Sequence, residues 1–396
     1  MTRVDPADSI YLDNAATSFP KPASVYKAVD SFLRSNGGAA GRGAHSKADS
    51  AARTIQQCRE RTARLLNAES LDRIAFTFNC TDSLNLLLRG ILKQGDHLIT
   101  SRLEHNSVLR PLTDLQMQKD VTVDYLDFDP ATGLLDVGAL EELLKSRPTR
   151  LVVLSHASNV LGTVQPIQQL AQVAHQHGAL FLLDAAQTVG HLPLDCRQLD
   201  VDFLAAAGHK GMLGPLGTGI VYVREGLESD LTNVRSGGTG TTSEQIRQPQ
   251  TMPARLESGN LNGPGLAGLN AGVQWLLEQD LGKLHGKAAA QCHALGTALR
   301  ELPGVRILAP ESGLQNVGIV SFVIDGLDAA DVAAILDQSF GIQCRAGLHC
   351  APLCHQHLQT DCIGGAVRLS PGPFTTDEQI DATVDALKQI AASVVT

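Results

Sequence analysis

The chain has 396 residues, 43% hydrophobic and 18% charged, with a net charge of −9 and eight cysteines. That length exceeds one ordinary core, so two domains are expected, and the acidic balance excludes nucleic acid as an expected partner. No apolar run approaches the ~20 residues a membrane helix needs, and the N-terminus lacks the basic-then-apolar layout of a secretory signal. No membrane association is therefore expected, and a cytoplasmic protein with free thiols rather than a disulfide framework is the reading.

In chain order, residues 47–66 carry Ala51, Ile55, Cys58, Thr62 and Leu65 at the spacing of an amphipathic helix, with Cys58 on its apolar side. RIAFTF (73–78) reads as a strand, and a helix bearing Leu84, Leu87, Leu88 and Ile91 follows it. HLITS (97–101) and VDYLDF (123–128) are strand-like, and RLVVLSHAS (150–158) precedes a helix near 166–177. ALFLLDA (179–185), VDFLAAA (201–207) and GIVYV (219–223) complete the set. Strand–helix alternation with strands apolar on both faces predicts an α/β fold, a mainly parallel sheet covered by helices. Ligands in such sheets bind beyond the carboxyl ends of the strands.

A Gly/Ser/Thr-rich stretch (236–244) and the turn-rich SGNLNGPG (258–265) break this pattern, and the domain boundary is placed just after the second. The remainder reads as α+β. Strands are expected in VGIVSFVI (317–324), IQCRAG (342–347) and AVRLS (366–370), with a helix near 329–338. A last helix is expected to begin at a capping box in Thr375-Thr376-Asp377-Glu378.

Four motifs carry chemistry, each at the end of an expected strand. Asn79-Cys80-Thr81 opens a helix whose free N–H groups, with the Thr81 hydroxyl, make either a phosphate seat or a plain cap. Asp184 ends an all-apolar strand. Burying its carboxylate is costly without a cationic partner, which a pyridinium nitrogen, a helix start or a salt bridge would supply. Lys210, between Gly208-His209 and Gly211, is either an exposed loop lysine or an amine that desolvation makes an imine-forming nucleophile. Cys350 sits in Cys344-Arg345-Ala346-Gly347-Leu348-His349-Cys350-Ala351-Pro352, where the cation and the imidazole favour thiolate. Cys350, Cys354, His355, His357 and Cys362 also form a cluster of soft ligands, though not at the spacing of a common zinc ribbon or finger, and no metal is expected.

Together these motifs resemble the class V aminotransferase superfamily of fold-type I pyridoxal-phosphate enzymes. The similarity runs from Tyr11-Leu12-Asp13-Asn14-Ala15-Ala16-Thr17 to the last helix. RAGLHCA (345–351) followed by VRLSPG (367–372) is similar to the group II cysteine desulfurases and selenocysteine lyases, whose signature is R-x-G-x-H-C-A. The opening YLDNAATSFPKP resembles a bacterial branch of that group sometimes associated with selenium metabolism.

The resemblance implies a large domain (20–265) with a mainly parallel seven-stranded sheet, and a small α+β domain (1–19 and 266–396) carrying the reactive thiol. It implies pyridoxal 5'-phosphate as cofactor, L-cysteine or L-selenocysteine as substrate, a homodimer and a sulfur- or selenium-acceptor protein. By position, Lys210 matches the lysine that holds the cofactor covalently, Asp184 the partner of its ring nitrogen, and His105 the histidine that stacks on the ring. Asn159 and Gln187 match the residues around its phenolic oxygen. Cys80, Thr81 and His209 match the phosphate end, and Arg368 the arginine that grips the substrate carboxylate. His45, in the run GRGAH (41–45), matches a substrate-side loop.

Three positions depart from the pattern. Ala207 replaces a usual Ser or Thr, and Asn260 replaces a Thr that reaches a phosphate across the dimer interface. Leu348 stands where a histidine is common. The expected reaction moves sulfur from L-cysteine to Cys350 and releases L-alanine. Two rivals remain at this point: another reaction of the same cofactor and fold, which needs no thiol, and a cofactor-free, metal-bound sulfur carrier built on the Cys/His cluster.

Overall fold

The computed structural model describes residues 9–40, 43, 45–241, 244–308 and 315–394. Residues 1–8 of the expected small domain, Gly41, Arg42 and Ala44 of the GRGAH run, and Thr242 and Ser243 of the Gly/Ser/Thr-rich stretch lie outside the described residues.

The chain opens with a short strand, β1 (Ile10–Tyr11), then helices α1 (Ala23–Ser31) and α2 (Ser46–Leu66). The main sheet follows as β2 (Ile74–Thr77), β3 (His97–Ser101), β4 (Thr122–Leu126), β5 (Leu151–Ser155), β6 (Leu180–Asp184), β7 (Phe203–Ala207) and β8 (Gly219–Val223). Between these strands lie α3 (Cys80–Ile91), α4 (Asn106–Lys119), α5 (Val137–Ser146) and α6 (Ile167–Gln176). The strand order is β2-β8-β7-β6-β5-β3-β4. Neighbours pair in parallel from β4 to β7, while β8 is antiparallel to both β7 and β2. The fold is thus α/β, with a mainly parallel seven-stranded sheet.

Burial explains why these strands are apolar throughout. Phe181 and Leu183 of β6 join the core under α2, α5 and α6, whereas Leu182 joins the core under α3 and α4. The same alternation sends Val152 and Leu154 one way and Leu151 and Val153 the other. Each such side chain contributes roughly 1.5–3 kcal/mol by leaving water. Both faces of β6 being covered, its one polar residue, Asp184, stands at the strand end.

The second part contains α7 (Gly263–Leu277), α8 (Leu281–Arg300), β9 (Val305–Ile307), β10 (Val320–Ile324) and α9 (Ala329–Phe340). It continues with β11 (Ile342–Gln343), β12 (Arg345–Gly347), α10 (Pro352–His357), β13 (Ala366–Leu369) and α11 (Asp377–Val394). An antiparallel sheet runs β12-β13-β10-β9, and β1 pairs in parallel with β11. Leu12, Phe322, Leu336, Leu369 and Leu387 share its core.

Three expectations change in detail. IQCRAG is not one strand: β11 pairs with β1 and β12 with β13, and the chain passes from one sheet to the other at Cys344. The stretch read as turns at 258–265 runs into α7, which Asn262 caps by accepting the Gly265 N–H at 3.0 Å. Gly263 fits there because a Cβ would press on the Phe32 ring. The capping box of α11 lies one residue later than expected. Thr376 Oγ1 accepts the Gln379 N–H at 3.3 Å, and Gln379 Oε1 accepts the Thr376 N–H at 3.1 Å. Thr375 is occupied elsewhere, accepting the Gly372 N–H at 2.9 Å. No helix among the described residues is long and apolar enough to cross a membrane.

Thr376→Ala should therefore cost about 1 kcal/mol of stability, the usual value of such a cap. Urea unfolding of both proteins measures it. An unchanged midpoint and slope would show that the reciprocal pair contributes nothing.

Candidate active site

Because β8 alone runs against the rest, the carboxyl ends of β2, β3, β5, β6 and β7 share one edge. A cavity of about 250 Å³ opens there. Asn79, Cys80 and Thr81 line it from after β2, His105 from after β3, Asn159 from after β5, Asp184 from β6, and His209 and Lys210 from after β7. Arg345, His349, Cys350 and Arg368 close it from the side of the smaller sheet. Ten of the twelve residues singled out from sequence thus meet around one space, and His45 and Asn260 do not.

Lys210 occupies a turn that only glycines fit. A Cβ on Gly208 would overlap Thr218, and one on Gly211 would overlap the Val189 carbonyl. Its Nζ has no hydrogen-bond or ion-pair partner among the described residues. Burial lowers its pKa, opposed by the charges of Cys80 and Asp184, which favours the nucleophilic free amine. Burial also raises the Asp184 pKa, while the Ala186 N–H and the charge of Lys210 oppose it. Asp184 Oδ1 accepts the Ala186 N–H at 2.9 Å and the Cys80 S–H at 3.5 Å. Its Oδ2 has no such partner among the described residues and is left for another donor. Cys80, expected at the phosphate end, gives its thiol to this carboxylate, and burial holds the thiol well above its usual range.

At the start of α3, Asn79 Oδ1 accepts the Asp82 N–H at 2.8 Å, and Thr81 Oγ1 lies 2.7 Å from Ser107 Oγ. His209 has a buried Nδ1 with no partner among the described residues, and burial, then the charges of Lys210 and Lys21, lower its pKa to about 4. His105 caps α4, its Nδ1 accepting the Ser107 N–H at 3.0 Å. That bond leaves the proton of the neutral ring on Nε2. Burial, then Lys210, lower the His105 pKa to about 4, so the ring is uncharged at neutral pH. Gln187 Nε2 donates to the Ala15 carbonyl at 3.1 Å.

Arg368 is buried, with Nη1 donating to the Asn159 carbonyl at 2.9 Å and Nη2 to Asp13 Oδ1 at 3.0 Å. Its Nε is buried and has no partner among the described residues. Asn159 Nδ2 in turn donates to the His349 carbonyl at 2.7 Å.

Cys350 is exposed and lines the cavity. It and His349 both adopt left-handed backbone, at φ 56° and 49°. Such geometry costs roughly 1–2 kcal/mol per residue and needs outside support. Asn159 holds the His349 carbonyl, and the Asn106 N–H donates to the Cys350 carbonyl at 2.7 Å. Burial, then Arg368, push the His349 pKa far down, so the imidazole is neutral. Its Nδ1 lies 3.4 Å from His355 Nε2, and its Nε2 is buried without a partner.

The other thiols differ by burial. Cys344 and Cys354 are pushed up to about 12, chiefly by burial. Cys354 sits in α10 rather than in a loop and is fully covered, which removes it as a direct sulfur acceptor. Cys362 is exposed. Among the described residues no three His, Cys, Asp or Glu are grouped so as to hold a metal ion. His45 caps α2, its Nδ1 accepting the Ala48 N–H at 3.2 Å. Asn260 is exposed and lines a separate small cavity with Phe76, Phe78 and Arg235.

Sequence reasoning missed Asp13, Ser107 and Glu104 as site partners. Glu104, beside His105, is fully buried and accepts from Ser101 Oγ at 2.7 Å, the Ser155 N–H at 3.0 Å and Ser155 Oγ at 2.7 Å. A carboxylate adjacent to His105 in LEHN was the available signal.

The description "Aminotransferase class-V" matches residues 10–383. A probable cysteine desulfurase of Methanothermobacter thermautotrophicus is 36% identical over 97% of this chain and 95% of its own length. A cysteine desulfurase of Escherichia coli is 32% identical over 96% and 93%. The solved cysteine desulfurase of Thermococcus onnurineus superposes with a TM-score of 0.90 at 31% identity, covering 98% of this chain and 96% of that one. Members of this family depend on pyridoxal phosphate. The cavity fits that group: an unpartnered amine at Lys210, a free Asp184 oxygen for a ring N–H, and an orphaned His209 nitrogen and helix start for a phosphate.

Burial raises the Glu104 pKa to about 7, against the lowering effect of its Ser101 and Ser155 hydrogen bonds. The folded protein then holds this proton at a pH where the unfolded chain, ionising near 4.5, has lost it. Its contribution to stability is complete below pH 4.5 and fades as pH rises through 7. Glu104→Gln should flatten that decline in urea unfolding between pH 5 and 7.5. A variant tracking the parent across the window would refute the assignment.

Proposed function

The chain belongs to the class V aminotransferase family, and from that premise we propose that it is a cysteine desulfurase, moving sulfur from L-cysteine to Cys350 and releasing L-alanine. One observation carries the reading: a half-buried amine unpartnered among the described residues, a buried carboxylate, a buried guanidinium and an exposed thiol open into a single cavity. The relatives bearing that activity in their names match the chain nearly end to end.

Bound pyridoxal phosphate would supply the electron sink that lets substrate Cα lose a proton and the Cβ–S bond open. Lys210 would hold it, Asp184 Oδ2 would meet its ring nitrogen, His105 would face the ring, and Thr81 with His209 would hold its phosphate. Arg368 binds the substrate carboxylate with the N–H groups that Asn159 and Asp13 leave free. Lys210, low in pKa, takes the Cα proton as a free amine. The Cys350 thiolate attacks the substrate sulfur, so that an S–S bond forms as the C–S bond breaks. The electron pair left at Cβ takes a proton and Lys210 returns its proton to Cα, giving alanine. Cys350, now a persulfide at the mouth of the cavity, passes the outer sulfur to an acceptor protein. Those rivals that use the same cofactor without a thiol leave an exposed, doubly strained cysteine unexplained.

The protein is read as a cytoplasmic homodimer. All eight thiols are free, in keeping with a reducing compartment. Asn260 is exposed beside the half-exposed Phe78 and outside this chain's own cavity, which supports a role toward a partner's site.

Cys350→Ser should abolish persulfide formation while leaving the colour changes that L-cysteine causes in the loaded enzyme. Cys344→Ser and Cys354→Ser should retain alanine production. Mass spectrometry under non-reducing conditions should find the added sulfur first on the Cys350 peptide, and finding it first on Cys362 would overturn the assignment. Lys210→Ala with undiminished turnover would sink the reading altogether.

A further inference from the structure

The main-chain carbonyl of His209, in the peptide bond leading to Lys210, is the target of four donors from one distant segment. The Ser18 N–H reaches it at 3.0 Å and Thr17 Oγ1 at 3.1 Å. Ser18 Oγ lies at 3.1 Å and Lys21 Nζ at 3.4 Å. Lys21 Nζ also donates to Ser18 Oγ at 2.8 Å and to the Ser18 carbonyl at 3.0 Å. The ammonium therefore polarises the hydroxyl that itself donates to His209, and chains of this kind strengthen one another at low dielectric. Lys21 has no carboxylate partner among the described residues, so its charge is spent on this carbonyl cluster.

We propose that Lys21, Thr17 and Ser18 are positioning residues that fix the main chain at Lys210 through the His209 carbonyl. The opposite side of the turn is already held. The Leu213 N–H donates to the Lys210 carbonyl at 2.9 Å, and the Gly214 N–H to the Gly208 carbonyl at 2.7 Å. Glycines on either side of His209 and Lys210 supply no side-chain packing, so without the N-terminal donors one flank of the turn would be free. The side chain of Lys210, unpartnered, can then move while its Cα stays in place. A lysine that binds a cofactor, releases it and handles a proton needs that combination. The same segment places Asp13 on Arg368 and the Ala15 carbonyl on Gln187, so one stretch of chain indexes three of the site's residues.

The proposal rests on Lys210 being the reactive lysine, and its test separates the two claims. Three variants of the full-length, cofactor-loaded protein are compared with the parent: Lys21→Met, Lys21→Arg and Thr17→Val. With L-cysteine, Lys21→Met and Thr17→Val should lower kcat about tenfold with KM moved by less than about twofold, the sign of misplaced machinery rather than lost binding. Amide hydrogen exchange should quicken in the peptide covering 206–214 and stay unchanged in peptides from β5 and β6. Lys21→Arg, which keeps charge and donors, should restore most of both. Unchanged exchange at 206–214 in both deletion variants overturns the proposal, as does an arginine variant no better than methionine. If Lys21→Met does not fold, Thr17→Val decides alone. Exchange is read without turnover, so Lys210→Ala retaining activity would fail the functional reading independently of this result.

Discussion

A buried positive charge organises this molecule. Arg368 lies in the middle of β13, in the smaller sheet, yet its guanidinium reaches the Asn159 carbonyl beyond β5 and the Asp13 carboxylate near the N-terminus. A guanidinium away from water is tolerable only when paired and hydrogen-bonded, so the two sheets and the opening segment must converge on it. Removing one partner of such a pair typically costs about 3–5 kcal/mol, because the other charge is left buried. The pairing is nonetheless incomplete. Nε has no acceptor, and a bound carboxylate would complete the set. The residue that holds the two halves together is the one that would bind the substrate's acid group.

That constraint propagates through short links. Asn159, which accepts from Arg368, donates to the His349 carbonyl, and the next carbonyl, of Cys350, accepts from Asn106 at the start of α4. Two consecutive left-handed residues are held open in this way, with the thiol exposed on the cavity side. Burial then sorts the cysteines. Cys354 is covered and Cys344 half-buried, and both hold their protons, whereas Cys350 and Cys362 are exposed. Sequence proximity to Arg345 and His349 pointed to Cys350 for a different reason, an electropositive setting. Burial leaves His349 neutral, so position and access distinguish this thiol more than an imidazolium does.

The strands were legible because a doubly covered sheet leaves no room for polar residues, and the apolar runs mark them directly. The motif residues were legible because parallel strands deliver whatever follows their carboxyl ends to one edge. What escaped reading obeys different physics. α7 is rich in glycine and begins in Gly263-Pro264-Gly265, which reads as a turn; its packing against α1 and α2, not its propensity, makes it helical. IQCRAG looks like a continuous strand, since only partner strands from distant sequence show that Cys344 lies between two sheets. Asp13 and Glu104 are ordinary carboxylates in sequence and become site residues only through Arg368 and Ser155, which no local pattern reveals.

His45 and Asn260 show the limit of carrying a role by position. His45 has a complete local task, capping α2 with its own Nδ1, which a single sequence cannot separate from a substrate contact. Asn260 lines a separate small cavity beside Phe78 and not the main one, so its matched role finds no support within a single chain. The departures at Ala207 and Asn260 then have a common consequence. With no hydroxyl at Ala207, the groups left to meet a phosphate at that end of the cavity would be the helix start at Asn79-Cys80-Thr81 and His209. Thr81 is tied to Ser107, and Ser107 to His105, so the hydroxyl that would meet a phosphate and the ring that would cover the cofactor are set by one serine. His209 is fixed from behind by Thr17, Ser18 and Lys21. The groups that would meet an anion here are thus oriented by their neighbours, which would keep a site with fewer direct donors ordered before its ligand arrives.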